Sequence, residues 1–355
     1  MNQTLYSIFS TLPFCLCLLW WVFLLFRRRA VSSPAHPFLS MFAFACTLLY
    51  FCHAVFFNGE EFPPVRALYY ICNLAVYPLF WIYVRVLTEP ELPRKRVLWV
   101  LAPSALAAVV LAVVLACGAS PERLDLPVRL VFLAEMIPVC VSAARRLTAF
   151  DRKVQNFYVD TEHKSLRDLR SLFFLLIPVS VLSALGSAVG RAFFTDSLRI
   201  IFPSLLFSAL LFGIFYVGYL LEYTAAEMAA GTAPAPAADA VDERAQQALL
   251  ERVRELVESQ KMYLTPGLKI TDVAEALDTN RTYISSCINR QTGMSFSDYI
   301  NGFRVRHAKE LMREKDPRLS VTQIGIRSGF SGDTTFFRNF KKATGQTPSE
   351  WISSQ

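Results

Sequence analysis

The 355-residue sequence predicts an all-α protein of two dissimilar parts, a polytopic seven-helix membrane bundle followed by a C-terminal portion with a tandem helix-turn-helix. Three observations carry that prediction. Seven apolar runs crowd into the first 221 residues, basic loops alternate with neutral or acidic ones between them, and a helical unit near the C-terminus occurs twice. Composition agrees: 54% hydrophobic is high and 18% charged is low for a soluble domain, and the apolar excess lies almost wholly before residue 222.

The runs cover approximately residues 5–26, 37–57, 67–87, 97–116, 128–144, 172–193 and 200–221. A bilayer core of about 30 Å takes roughly 20 such residues. The fifth run is the shortest and carries Arg129 and Glu135. The first does not read as a cleavable signal peptide, because no positive charge precedes it and Arg27, Arg28 and Arg29 follow it. Those three, then Arg94, Lys95 and Arg96, then Arg145, Arg146, Arg152, Lys153, Lys164, Arg167 and Arg170 all fall on one side of the alternating runs. The opposite loops, around Glu60 and Glu61, 121–127 and 195–197, carry Arg66 and Arg123 and are otherwise acidic or neutral. The positive-inside rule then sets the N-terminus in the periplasm and the C-terminus in the cytoplasm of a bacterial inner membrane. Glu135 is the candidate signal-sensing residue, since an ionisable group inside a span is costly. Arg129, Arg191 and Arg199 lie close enough to run ends to snorkel. Prolines at 78, 103, 138, 178 and 203 point to kinked helices and an internal cavity.

Residues 1–221 thus form the membrane domain, and the composition changes sharply after it. Residues 222–241 read as a semi-rigid Ala/Pro linker containing GTAPAPAADA. Residues 242–262 read as an amphipathic connecting helix, with Ala245, Leu249, Val253, Leu256 and Gln260 on one stripe. Two readings stand for it, packing on the first helix-turn-helix or a dimer contact that reports the state of the membrane part. The basic segment 145–170 is the only inward loop large enough to touch the C-terminal domain, 263–355. It reads as a relay to the connecting helix or as a contact with anionic lipid.

Inside that last domain, an offset of 52 pairs Phe336 with Ile284, Phe340 with Ile288, Thr344 and Gly345 with Thr292 and Gly293, and Thr347 with Ser295. Upstream of the turn the offset is 51, pairing Ile324 with Val273, Gly325 with Ala274 and Gly329 with Asp278. Each copy reads as helix, tight turn, helix. Ser320 and Gln323 form a capping box, Gly325 permits close helix approach, and Gly329 supplies a left-handed residue. Asp278 stands where glycine is expected and can adopt that conformation at some cost.

The stretches ITDVAEALDTNRTYISSCINRQTGMSFSDYINGFRVRHAKELM and VTQIGIRSGFSGDTTFFRNFKKATGQTPSEW resemble the DNA-binding domain of the AraC-type (arabinose-regulator) transcription factors. The resemblance covers roughly the last quarter of the chain, and departs from the family at Asp278 and at Gly325, where alanine is usual. It implies that a connecting helix over 295–312, opened by Ser295 and Asp298, holds two recognition helices for successive major grooves of double-stranded promoter DNA.

The first recognition helix is expected from Asn280 to about Gln291, with Arg281, Thr282, Ser285, Ser286 and Arg290 outward. The second is expected from Ser331 to about Ala343, with Asp333, Thr334, Arg338, Lys341 and Lys342 outward. Asp333 can accept from cytosine, Thr334 and Ser285 can bond several base edges, and Arg281 or Arg338 can hold guanine bidentately. Lys341, Lys342 and Arg290 suit phosphates.

Charge and chemistry limit the rest. The formal charge of +7 suits nucleic acid and the inner membrane face, and residues 260–355 hold 14 Lys and Arg against 9 Asp and Glu, a net +5. Of eight cysteines only Cys287 lies in the C-terminal domain, and no CxxC or Cys/His ligand spacing occurs. No nucleophile–base pair or phosphate-cradling loop is present; GSAVGR at 186–191 reads as helix packing. The reading is therefore a membrane-bound transcription regulator rather than an enzyme, with no cofactor. The alternative is a seven-helix transporter or receptor whose tail is a tether or partner-binding module. Further partners are the bilayer, a second copy of the chain, RNA polymerase for an activator, and a small-molecule or membrane-protein signal.

Overall fold

A computed structural model describes residues 3–27, 33–59, 62–89, 94–188, 197–221, 223–229, 243–314 and 319–354. Most of the expected 222–241 linker lies outside the described residues, as do Arg28, Arg29, Glu60, Glu61 and Arg191 and the end of GSAVGR. The chain divides into two compact units, one of Met1–Ala149 with Leu166–Glu227 and one of Phe150–Ser165 with Met228–Gln355.

The first unit contains α1 (Gln3–Arg27), α2 (His36–Phe57), α3 (Pro63–Thr88), α4 (Arg94–Ala116), most of α5 (Asp125–Phe157), α6 (Arg167–Ala188) and α7 (Ser197–Leu220), with the short α8 (Ala225–Ala229) at its end. Among the described residues, six helices are long and apolar enough to cross a membrane: α1 to α5 and α7. The expected sixth run begins in α6, but residues 189–193 of it lie outside the described residues. Leu98, Trp99 and Leu182 are 70% exposed or more, so this unit carries large apolar side chains on its outside.

Polar contacts hold the interior where proline breaks the helical ladder. Pro13 has no N–H to offer the carbonyl four residues back, and that carbonyl, Phe9 O, accepts from Ser204 Oγ of α7 instead. Gly218 of α7 lets α3 approach: Tyr83 Oη donates to Gly218 O at 3.2 Å, and a Cβ there would sit 2.9 Å from that hydroxyl. Phe80 stacks on Phe173 with ring centroids 4.4 Å apart. Glu89 accepts from both Arg85 and Arg146.

One boundary differs from expectation. The fifth helix does not stop at Ala144 but continues to Phe157, so the basic segment starts as helix. Ala143, Leu147, Phe150, Val154 and Phe157 are all buried, at spacings of three and four. That stripe keeps the helix going through the charges.

The second unit is helical apart from an isolated bridge between Tyr158 and Lys269 among its described residues. It contains α9 (Glu243–Ser259), α10 (Ile270–Ala276), α11 (Arg281–Thr292), α12 (Phe296–Arg313), α13 (Val321–Arg327), α14 (Asp333–Thr344) and α15 (Pro348–Ser353). The buried stripe of α9 is Gln246, Val253 and Val257, with Leu249, Leu250 and Leu256 half-buried, while Ala245 and Gln260 are exposed. It packs on α11, where Cys287 Sγ donates to Gln246 O.

The second helix pair packs around Phe336, Phe340, Phe330, Ile324, Val305, Ala308, Met312 and Trp351. Complete burial of a phenylalanine side chain stabilises by about 1.5–3 kcal/mol. Asp278 at φ 49 and Gly329 at φ 88 make the two left-handed turns. Gly325 sits directly under Phe336, and a Cβ there would lie 2.7 Å from Phe336 Cδ1. Gly325→Ala is therefore expected to weaken this copy by about 1–3 kcal/mol. Hydrogen exchange of amides 321–351 measures it; unchanged protection would show that the ring yields.

Candidate nucleic-acid interface

Each expected recognition helix is fixed by local chemistry. Asn280 caps α11, its side chain accepting from Thr282 N at 2.9 Å. Ser320 and Gln323 close a reciprocal capping box on α13. Gly332 precedes α14, which begins at Asp333 rather than at Ser331. Ser295 caps α12, accepting from Asp298 N at 3.1 Å. Tyr299 and Phe303 of that helix meet edge to face with ring centroids 5.2 Å apart, and Phe303 is buried.

The two copies present their outward residues differently. On α14, Asp333, Thr334, Arg338, Lys341 and Lys342 are all exposed. Counting back 52 residues, the same register on α11 holds Arg281, Thr282, Ser286, Asn289 and Arg290, of which only Arg290 is exposed and the rest are half-buried. Identical helical positions thus face solvent in one copy and neighbouring chain in the other.

Part of that cover is the segment Phe150–Ser165. The Arg281 guanidinium lies 5.1 Å over the Phe157 ring, and its Nη2 donates to Met228 O at 2.6 Å. Its Nη1 is buried with no hydrogen-bond partner among the described residues, and burial lowers the pKa of the group. The residue expected to hold guanine is engaged inside the protein. Asn289 Nδ2 donates to Ser285 O and Ser285 Oγ and approaches Asn156 Oδ1 at 3.4 Å. At the start of α14, Thr335 Oγ1 donates to Glu162 Oε2 at 3.1 Å.

The same segment is anchored deeper. Asp160 Oδ1 accepts from Arg304 Nη1 at 2.7 Å, and Asp160 Oδ2 accepts from Gly267 N at 2.8 Å. Arg304, fully buried on α12, also donates through Nε to Tyr263 O at 2.6 Å and through Nη2 to Thr265 O at 3.0 Å. Ser297 Oγ donates to Val159 O, and Val159 N to Leu268 O. Burial lowers the Arg304 pKa while Asp160 opposes the shift, so the cation is kept by its carboxylate.

Other expected residues are also engaged. Asp333 Oδ2 accepts from Thr322 Oγ1 at 3.1 Å, and Lys342 Nζ pairs with Asp298 Oδ1 at 2.5 Å, joining the end of α14 to the start of α12. In the first unit, Glu135 of α5 is half-buried and its Oε1 has no hydrogen-bond partner among the described residues. Sequence reasoning missed Asp160, Glu162, Phe157 and Arg304. Asp160 and Glu162 are acids inside a basic segment, and that reversal was the available signal.

Comparison with known proteins bears on this unit. Residues 273–354 match the family described as "Helix-turn-helix domain". Residues 273–354 are a helix-turn-helix domain of the AraC type. The chain is 28% identical over 104 residues to the Msm operon regulatory protein of Streptococcus mutans, covering 29% of this chain and 36% of that one. It is 30% identical over 105 residues to the uncharacterized HTH-type transcriptional regulator YijO of Escherichia coli, covering 30% and 35%. The chain thus spans about a third of the length of those relatives. A solved protein of unknown function from Listeria innocua is 27% identical, with a TM-score of 0.26, covering 31% of this chain and 95% of that one.

Within the AraC-type domain, the proposed roles separate by experiment. Arg338→Ala should remove about 1–3 kcal/mol of discrimination between an operator and its point mutants. Lys341→Ala should weaken every duplex alike and flatten the log K against log salt slope by about 0.9. Equal weakening of all duplexes by Arg338→Ala would reassign that arginine to phosphate.

Proposed function

We propose that the chain is a membrane-bound, sequence-specific transcription regulator that couples a signal received by its apolar helices to promoter binding. The N-terminus would lie in the periplasm and the AraC-type domain in the cytoplasm. Support for the location comes from the apolar helices and from basic residues gathered at Arg145, Arg146, Arg152, Lys153, Lys164, Arg167 and Arg170. Support for DNA reading comes from α14, where the side chains expected to read bases and hold phosphates, Asp333, Thr334, Arg338, Lys341 and Lys342, are all exposed.

The observation that carries the coupling is the Asp160–Arg304 pair. It fastens the chain between α5 and α6 to α12, the connector of the two helix-turn-helix pairs. We infer that this segment holds the domain with α11 covered, and that a change in α5 lifts the cover. The segment would act on α11, α12 and α14 directly rather than through α9, the relay that the sequence allowed beside a contact with anionic lipid.

The test uses full-length protein in lipid nanodiscs, with genomic fragments selected for binding at fixed salt. Enrichment of particular promoters over scrambled duplex is expected. An Asn156→Ala, Phe157→Ala double variant, which leaves Asp160 in place, should bind the selected operator at least fivefold more tightly. Unchanged affinity would reject the covering role; no enrichment at all would reject DNA regulation. A reporter fused after Gln355 that is active only in the periplasm would reject the orientation.

A further inference from the structure

The two helix pairs share an inner architecture and differ outside. Ile284, Cys287 and Ile288 of α11 are buried, as Phe336 and Phe340 of α14 are, so each helix is fully seated in its own pair. A guanidinium that reads guanine must turn its fork of N–H donors into the major groove. The Arg281 fork instead gives Nη2 to Met228 O, and its plane lies over the Phe157 ring. Asn289, in the same outward register, commits its amide N–H groups to Ser285 and Asn156. Arg290, the exposed member of the set, is the one expected on phosphate, a contact that carries no sequence information. The covered α11 can therefore hold backbone but not read bases.

In the same arrangement α14 is presented differently. Its contact with the segment Phe150–Ser165 runs through Thr335, which is 2% exposed and lies outside the outward set. Two further contacts, Asp333 with Thr322 and Lys342 with Asp298, lie toward its ends. Between them Thr334, Arg338 and Lys341 are exposed, at spacings of four and three that put them on one face of the helix. Thus the arrangement that engages Arg281 leaves the outward face of α14 presented.

We propose that the covered protein reads a single major groove, through α14, and that uncovering α11 adds a second groove about one helical turn, 34–36 Å, away. The inference rests on the regulator reading and deepens it: the cover sets which promoters are recognised, not only how tightly. A promoter with the α14 half-site alone is bound alike in both states. A promoter with both half-sites gains from uncovering, because Arg281, Thr282 and Ser286 then reach base edges. A cover that acted only through bulk or charge would instead change affinity equally on every promoter.

Operators are selected from genomic fragments on two full-length proteins in nanodiscs, the natural chain and the Asn156→Ala, Phe157→Ala variant. Each operator is then substituted one base pair at a time, and affinity for both proteins is measured at fixed salt. For the natural chain, substitutions that cost about fivefold or more are expected in one block. A Thr334→Ala, Arg338→Ala double variant should flatten that block. For the Asn156→Ala, Phe157→Ala variant a second block is expected, centred about 10 base pairs from the first. Two blocks for the natural chain, a single block that Thr334→Ala, Arg338→Ala leaves intact, or one block only for the uncovered variant would overturn the inference and leave promoter selection standing. The first two outcomes do not require the Asn156→Ala, Phe157→Ala variant to fold. Loss of selection by the natural chain would remove the regulator reading, and this inference with it.

Discussion

A guanidinium buried without a carboxylate is among the costliest groups a fold can contain, and the fully buried arginine at the centre of the connector helix of the AraC-type domain avoids that cost only through Asp160. Arg304 has no exposed surface, and its fork is satisfied by two backbone carbonyls and Asp160. Lysine would not serve: its compact ammonium lacks the planar reach to hold three acceptors in different directions. Removing the carboxylate would leave the charge uncompensated, a loss of about 3–5 kcal/mol in comparable buried pairs. Because Asp160 also takes the Gly267 N–H, the same side chain fixes the turn that leads into α10. The geometry of the first helix-turn-helix therefore depends on a residue 144 positions before its ion-pair partner.

The repeat gives this dependence its direction. Two copies of one supersecondary unit have matched cores, Ile284 and Ile288 answering Phe336 and Phe340, all four fully buried. Their outer faces are not matched. Arg281 is clasped by Phe157 and Met228, whereas Asp333 in the same register is exposed. Inheritance of a common unit explains the likeness of the cores; the segment Phe150–Ser165 accounts for part of the difference between the faces.

What was legible in the sequence was what local chemistry decides. Asp278 adopts the left-handed turn that its replacement of glycine requires, Ser320 and Gln323 close their box, and Gly325 lies under a ring. Legibility failed where a polar residue is buried by a partner far along the chain. Arg304 sits on an amphipathic helix among other basic residues, where a charge reads as solvent-facing. Gln246 reads as polar surface, yet it is buried and its carbonyl accepts from Cys287, which turns the α9 stripe by one position. The end of α5 was hidden likewise: arginines and a lysine mask the apolar spacing that carries the helix to Phe157.

Relative strengths decide which contact yields first in the proposed coupling. The part of the cover over α11 that the segment Phe150–Ser165 supplies consists of a cation–π contact and a long amide hydrogen bond, each worth on the order of 1 kcal/mol. The anchor is a buried ion pair with three further hydrogen bonds to its two partners, and its rupture costs several times as much. A modest displacement of α5 therefore breaks the cover and spares the anchor. Each 1.4 kcal/mol of differential ligand affinity shifts such an equilibrium about tenfold.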